Sequence, residues 1–359
     1  MKKRLRYALV GDGQSPHLLK WGRALAPLVD LWVCSSRSFS SDWEDFVPEN
    51  RRFALHAKSN HGGDNTALLL QVPRLARWLR RVDADWINPH YLTSHGTLVL
   101  LAHHLLRLRG RVVASAWGSD ILITPQRNII YRKLTEWIVH NSTLCTSDSQ
   151  YMTQTMKNLG ARKVLTFPFG LEVMPSVERQ PKNPWLFYAN RGLEPIYQPL
   201  RVLEFFLMIV RNFPEAQLVI ANSGSQEKIM RQWVLQQNLQ KSIKFVGRLT
   251  AIEQKKWYEL SQWYISLPQS DSVAVSVLEA MAHCCIPLLS NLPANRELVM
   301  SLKNGWILED CLQESEIKYT LSTLLLQANE ISQNNYKWIS ENGLFTPAIN
   351  RLVEELQLN

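Results

Sequence analysis

Short apolar runs alternate along this chain with longer stretches whose apolar positions recur every three to four residues, the periods of buried strands and of one-sided helices. Residues 5–10 read as a strand, and Gly11-Asp12-Gly13 follows at once. Ser15-Pro16 then supplies an N-cap and a helix-start proline for a helix through Trp21 and Leu25. Residues 30–34 and 53–55 read as further strands. Residues 66–81 carry the stripe Leu68, Leu69, Val72, Leu75 and Leu79, and Pro73 predicts a kink or a split there. Strands at 86–88, 111–115, 144–146 and 164–167 alternate with helices at about 94–108, 129–140 and up to 159. A second series starts at 185–188: helix 200–211, strand 217–221, helix 226–237, strand 243–246, and a helix capped by Thr250. Residues 173–184 between the two series are polar and proline-rich, a linker composition. This alternation predicts an α/β protein with parallel sheets, in two domains at 1–172 and 185–335. Residues 336–359 are expected to pack back towards the first domain.

The densest signals lie between Tyr264 and Met300. A strand at 264–267 leads into the polar loop Gln269-Ser270-Asp271-Ser272, and Ser276 with Glu279 three residues on has the form of a capping box. A strand at 287–289 and a helix at 295–300 follow. In a strand–loop–helix–strand unit the loop and the helix start face the ligand crevice. A helix start also favours phosphate, because its first amides point outward at the positive end of the dipole. On spacing alone, Asp271 and Glu279 are either a solvated loop acid and a cap, or two acids facing one pocket.

Charge separates the halves. The chain of 359 residues has a net charge of +9, and residues 1–180 hold 24 Lys and Arg against 14 Asp and Glu. The second half is therefore nearly neutral. On the predicted helix at 66–81, Arg74, Arg77, Arg80 and Arg81 share a face, either simply solvated or a docking face for anionic lipid or acceptor phosphate. No helix-turn-helix, zinc or RNA-binding signature occurs, so nucleic acid is not the expected partner. The five cysteines, Cys34, Cys145, Cys284, Cys285 and Cys311, are odd in number and lack Cys-x-x-Cys spacing, which reads as reduced, cytoplasmic usage. Behind the basic start (Lys2, Lys3, Arg4, Arg6) the apolar run is too short for a signal peptide. No apolar stretch is long enough to span a membrane, so contact at its inner face would be peripheral. Asp83-Ala-Asp85 precedes a strand and reads as a turn, and His90, His95, His103 and His104 have no carboxylate at ligand spacing, so no metal site is expected.

The stretch Asp271-x7-Glu279 with Leu278-Glu279-Ala280-Met281-Ala282 and Pro287 resembles the signature of glycosyltransferase family 4, the retaining, nucleotide-sugar-dependent enzymes of GT-B fold. The first acid is Asp where the family has Glu, and the usual glycine is replaced near Cys284-Cys285. Arg191 in Asn190-Arg191-Gly192-Leu193-Glu194-Pro195 resembles the family's diphosphate-holding Arg, while Ile196-Tyr197-Gln198 stands where its partner Lys would be. The resemblance implies two Rossmann-like domains facing a central cleft, and no cofactor or essential metal. It implies a donor pocket of Arg191, Gly247, Arg248, Ser276, Val277 and Glu279, with Glu279 on the ribose and Asp271 at the donor sugar. Gly13 would lie near the donor phosphates and the acceptor, and His90, Trp117 and Asp120 would line the acceptor side, with Asp271, His90 and Asp120 as the candidate catalytic residues. In many relatives the residue before Gly118 is a histidine near the reacting sugar; here it is Trp117, a flat apolar wall with one N–H donor. His90 is a candidate polar group in the cleft or a structural histidine. The implied function is transfer from a nucleotide diphosphate sugar to a glycan or lipid-linked acceptor in cell-surface polysaccharide synthesis. The alternative is a nucleotide-sugar- or glycan-binding protein of the same fold that has lost turnover.

Overall fold

The computed structural model describes residues 4–57, 66–176, 181–309 and 313–358. Lys2, Lys3, Cys311 and linker residues 177–180 lie outside the described residues. The chain forms two compact units, one of residues 1–168 with 345–359 and one of 169–344.

The first unit is built on seven parallel strands: β1 (Arg6–Gly11), β2 (Asp30–Ser35), β3 (Arg52–Ala54), β4 (Trp86–Pro89), β5 (Arg111–Ser115), β6 (Leu144–Ser147) and β7 (Val164–Thr166). Their spatial order is β3-β2-β1-β4-β5-β6-β7. The order reverses between β1 and β4, so the connections leaving these neighbours diverge to opposite faces and open a crevice at their carboxyl ends. The helix Phe345–Leu358 belongs to this unit, with Phe345 buried edge-on against Trp21.

The second unit repeats the plan with β8 (Asn183–Ala189), β9 (Gln217–Ala221), β10 (Ile243–Gly247), β11 (Ser261–Ser266), β12 (Ile286–Ser290) and β13 (Trp306–Leu308). Their order is β10-β9-β8-β11-β12-β13, all parallel, with the reversal between β8 and β11. Every residue of β11 and β12 is buried, as expected of central strands covered on both faces. Phe187 and Trp263 point to one apolar layer, and Tyr188 and Tyr264, one residue on in each strand, point to the other. Where the chain re-crosses near Leu171, Gly170 packs so closely on Gly343 that a Cβ would lie 1.8 Å from its carbonyl oxygen.

The split expected at Pro73 occurs, and three other local expectations change. Residues 66–81 divide into helices Thr66–Leu69 and Val72–Val82, with Pro73 in the first turn of the second, where its missing N–H costs nothing. The helix expected at 94–108 begins with a π-helical turn, Leu92–Gly96, entered from Tyr91 at φ 70°, and continues as Thr97–Leu106. The capping box at Ser276 and Glu279 does not form: the helix is Val275–Ala282, Ala274 occupies the N-cap, and no side chain caps it. The sequence pattern is the same as at Thr250, where Glu253 and Thr250 do form a reciprocal box. At Ser276 both side chains are drawn to other partners. Finally, residues 336–344 stay with the second unit as the end of helix Ala328–Asn342.

Candidate functional site

Two clusters form, one at each reversal of strand order. In the second unit β8 delivers Asn190 and Arg191, and the loop after β11 delivers Asp271 and the Val275–Ala282 helix. Arg191 donates from Nη2 to Asp271 Oδ2 (2.5 Å) and from Nη1 to Ser276 Oγ (3.2 Å), and its guanidinium lies 4.4 Å from the centre of the Tyr197 ring. The Arg191 and Asp271 side chains are 19% and 22% exposed, so the pair is largely desolvated. Burial is the largest influence on Arg191 and opposes its charge, but Asp271 together with the Tyr264, Tyr197 and Tyr258 phenols outweighs it and holds the guanidinium above its ordinary value. Burial raises the Asp271 carboxyl, with Arg191 and the Ser272 amide pulling the other way. The sequence-predicted Arg191, Asp271 and Ser276 are thus in direct contact. Glu279, less than one turn further along the helix from Ser276, accepts from the Tyr258 hydroxyl at 3.1 Å.

Residues without a sequence signal hold this cluster. Tyr264 donates to Asn190 Oδ1 (2.7 Å), and Asn190 Nδ2 donates to Tyr258 Oη and Gln254 Oε1, each at 2.8 Å. Aromatic character in the strands and helices around Arg191 is the only signal that could have pointed to them, and it reads equally as core.

The remaining donor-side residues are placed differently. Val277 is buried in the core, and its N–H bonds the Ala274 carbonyl. Gly247 has φ +71° and its carbonyl accepts the Asn222 N–H, while Arg248 Nε donates to Ser223 Oγ at 2.8 Å. Gly247 and Arg248 therefore tie the loop after β10 to the loop after β9, beside the cluster rather than within it.

In the first unit, β4 and β5 bring His90 and Trp117 together. Trp117 Nε1 donates to His90 Nδ1 at 3.2 Å. An indole nitrogen is only a donor, so Nδ1 must be unprotonated and the ring hydrogen sits on Nε2, donating to Asn88 Oδ1 at 3.0 Å. Asn88 in turn accepts from Tyr7 and donates to the Val113 carbonyl and Ser115 Oγ. Burial, with His95 and His17 nearby, holds His90 well below its ordinary value, so it is neutral. Both ring nitrogens are engaged, and His90 has the geometry of a wall-forming group rather than of a free acid or base. Trp117 is half-buried, and the exposed His17 ring also lies against it at 4.8 Å.

Asp120 is wholly buried; its oxygens accept the N–H groups of Leu92 (2.8 Å) and Trp117 (2.9 Å). Burial pushes its carboxyl up to about 6 against those amides. It pins the Trp117 loop to the π-helical turn after β4. Gly13 is also buried: its N–H donates to Ser35 Oγ, its carbonyl accepts from Trp43, and a Cβ would meet Ser35, Ser38 and Phe39 within 3 Å. Glycine is required there by packing.

Among the described residues, no group of three or more His, Cys, Asp or Glu is arranged to hold a metal ion, and no helix is long and apolar enough to cross a membrane.

Residues 6–149 match the model of the glycosyl transferase 4-like family, and residues 172–338 match that of glycosyl transferases group 1. No curated protein sequence matches the chain. Its fold is similar to sucrose-phosphate synthase from Thermosynechococcus elongatus (13% identity, 99% of this chain and 100% of that one, TM-score 0.79). It is similar also to the Anabaena protein HepE crystallised with UDP-glucose (13% identity, 99% and 100% covered, TM-score 0.76) and to the lipopolysaccharide outer core galactosyltransferase WaaB (14%, 97% and 99%, TM-score 0.68). The two family models between them take in both units, and the solved structures of similar fold span the whole chain: the chain belongs to the family 4-type glycosyltransferases.

Proposed function

We propose that the protein transfers a sugar from a nucleotide diphosphate sugar, with retention of anomeric configuration and without a metal ion, to a glycan or lipid-linked acceptor of a cell-surface polysaccharide. One observation carries the donor half of this reading: Arg191 bridges Asp271 and Ser276 at the start of a helix that no side chain caps, with Glu279 further along the same helix. A guanidinium and a helix start are a matched pair for a diphosphate. As the bond to the sugar breaks, negative charge builds on the leaving diphosphate. A fixed cation and aligned amides stabilise that charge without reorganising. In this reading Glu279 accepts from the ribose hydroxyls, and Asp271, bonded to Arg191, is assigned to the donor sugar. HepE, crystallised with UDP-glucose, lends the fold precedent for a donor of this class.

Trp117 offers the acceptor a flat apolar face. A lipid-linked acceptor is supported by the basic first half and by Ile129 and Ile130, which are 65% and 75% exposed beside the exposed Arg127. An apolar pair with a cation next to it suits the surface of an anionic bilayer.

The test is turnover in EDTA with UDP-, GDP- and ADP-sugars and polyprenyl-diphosphate-linked sugar acceptors. Released diphosphate and the anomeric coupling of the product are followed by NMR. Acceptor-dependent release with retained configuration supports the reading; an inverted product, or no release with any pair, counts against it.

A further inference from the structure

The Tyr258 phenol has no role in the reading above, yet it is among the most thoroughly fixed groups in the second unit. It lies on the helix Ala251–Leu260 and is 2% exposed. His283 stacks parallel on its ring at 5.4 Å, and Tyr188 meets it edge-on at 5.1 Å. Burial, with Lys182 and Lys255 nearby, pushes His283 down to about 4, so this stack is between neutral rings. Lys182 Nζ donates to the Tyr258 carbonyl (2.6 Å) and to the Ser261 carbonyl (2.8 Å), which ties down the end of the helix.

The amide of Asn190 sets the hydrogen-bond direction at the phenol oxygen. Tyr264 O–H donates to Asn190 Oδ1, which orients the amide so that Nδ2 donates to Tyr258 Oη. The single phenol hydrogen is left for two acceptors, Glu279 Oε2 at 3.1 Å and the Ser276 carbonyl at 3.3 Å, of which the carboxylate is the nearer and the charged one. The relay therefore runs one way, from Tyr264 through Asn190 and Tyr258 to the carboxylate. A half-buried glutamate on a helix otherwise samples several rotamers.

We propose that Tyr258 is a positioning residue that holds the Glu279 carboxylate in the orientation from which it accepts the ribose hydroxyls of the donor nucleotide. This rests on the donor reading above. Tyr258 itself is enclosed by protein groups and acts through Glu279, holding its Oε2.

The test is calorimetric binding of UDP, GDP and ADP and of their 2′-deoxy forms to wild type, Tyr258→Phe and Glu279→Gln. With the diphosphate that binds wild type, Tyr258→Phe is expected to weaken the ribose form about fivefold to tenfold, part of the worth of one hydrogen bond to a carboxylate. It should weaken the 2′-deoxy form less than about twofold, because the contact that Tyr258 supports is already missing. Equal weakening of both forms would make Tyr258 merely structural and overturn the proposal, as would no change in either. Asn190→Ser, which removes the donor holding the phenol, is the second variant; it should show the same ribose-selective loss, smaller in size, and a loss equal for both forms again overturns the proposal. If Glu279→Gln loses affinity while neither relay variant does, the donor reading stands and the positioning role falls. If no diphosphate binds wild type, both fall.

Discussion

Removing Arg191 strands a carboxylate. Asp271 is about one-fifth exposed, bonded to Arg191 and to its neighbour's amide at Ser272. Breaking a fully buried pair from one side costs about 3–5 kcal/mol. Discounted for the exposure of both partners, Arg191→Met, which keeps the apolar stem, is expected to cost about 2–3 kcal/mol. Asp271→Asn leaves the guanidinium its Ser276 bond and its Tyr197 face, so about 1–2 kcal/mol is expected. The double variant has neither charge. It should be more stable than the sum of the single losses by about 1–2 kcal/mol. A unit of this size shifts its Tm by roughly 2–4 °C per kcal/mol, so Arg191→Met should lower the midpoint of the second unit by about 5–10 °C and adding Asp271→Asn to it should lower the midpoint little further. Thermal denaturation of the four proteins, with guanidinium unfolding for the free energies, reads the cycle. Losses that add to within about 0.5 kcal/mol would refute the claim that these two side chains form one desolvated pair.

Three further outcomes follow from the geometry. Asp120 titrates at about 6 in the fold against 3.8 ordinarily, so its stabilising contribution is present below about pH 4 and lost as pH rises through 6; His90, held below 6.5, contributes above that value and loses its contribution as pH falls. Stability measured from pH 4 to 8 should therefore tilt in opposite senses, Asp120→Asn gaining on wild type as pH rises and His90→Gln gaining as it falls; two parallel curves would show that neither group titrates in the fold. Gly170→Ala puts a Cβ onto the Gly343 carbonyl, and a backbone shift or loss of more than about 3 kcal/mol is expected, whereas Gly160→Ala, which meets no atom within 4 Å and pays only for its positive φ, should cost about 1–2 kcal/mol. Ile129→Asp with Ile130→Asp should abolish co-sedimentation with phosphatidylglycerol vesicles at low salt and leave the Tm within about 2 °C; unchanged sedimentation would remove this pair from any bilayer contact.

The alternation of strand and helix was readable because both sheets are parallel and covered on both faces, so their strands are short apolar runs with turn residues between them. Pro73 marked the break between two helices for a purely local reason, its missing donor. The Ser276 pattern failed for a non-local one. Its match to a capping box is as good as that of Thr250, but Arg191 and Tyr258, distant in sequence, take the two side chains. The contact of His90 with Trp117 could not be read either, since it depends on two neighbouring strands in register. Tyr258, Tyr264 and Asn190 look like ordinary core and loop residues in sequence; only the assembled sheet shows that their polar ends converge.

The measurement closest to the central claim is thermal stabilisation by UDP, GDP, ADP and CMP and their common sugars in EDTA, for wild type, Glu279→Ala and Arg191→Met. The account predicts that one diphosphate raises the wild-type Tm, that Glu279→Ala and Arg191→Met lose most of that rise, and that added magnesium does not restore it. A nucleotide that stabilises all three proteins equally would put the donor somewhere other than the Arg191 and Glu279 cluster, and a rise that needs magnesium would contradict metal-independent binding.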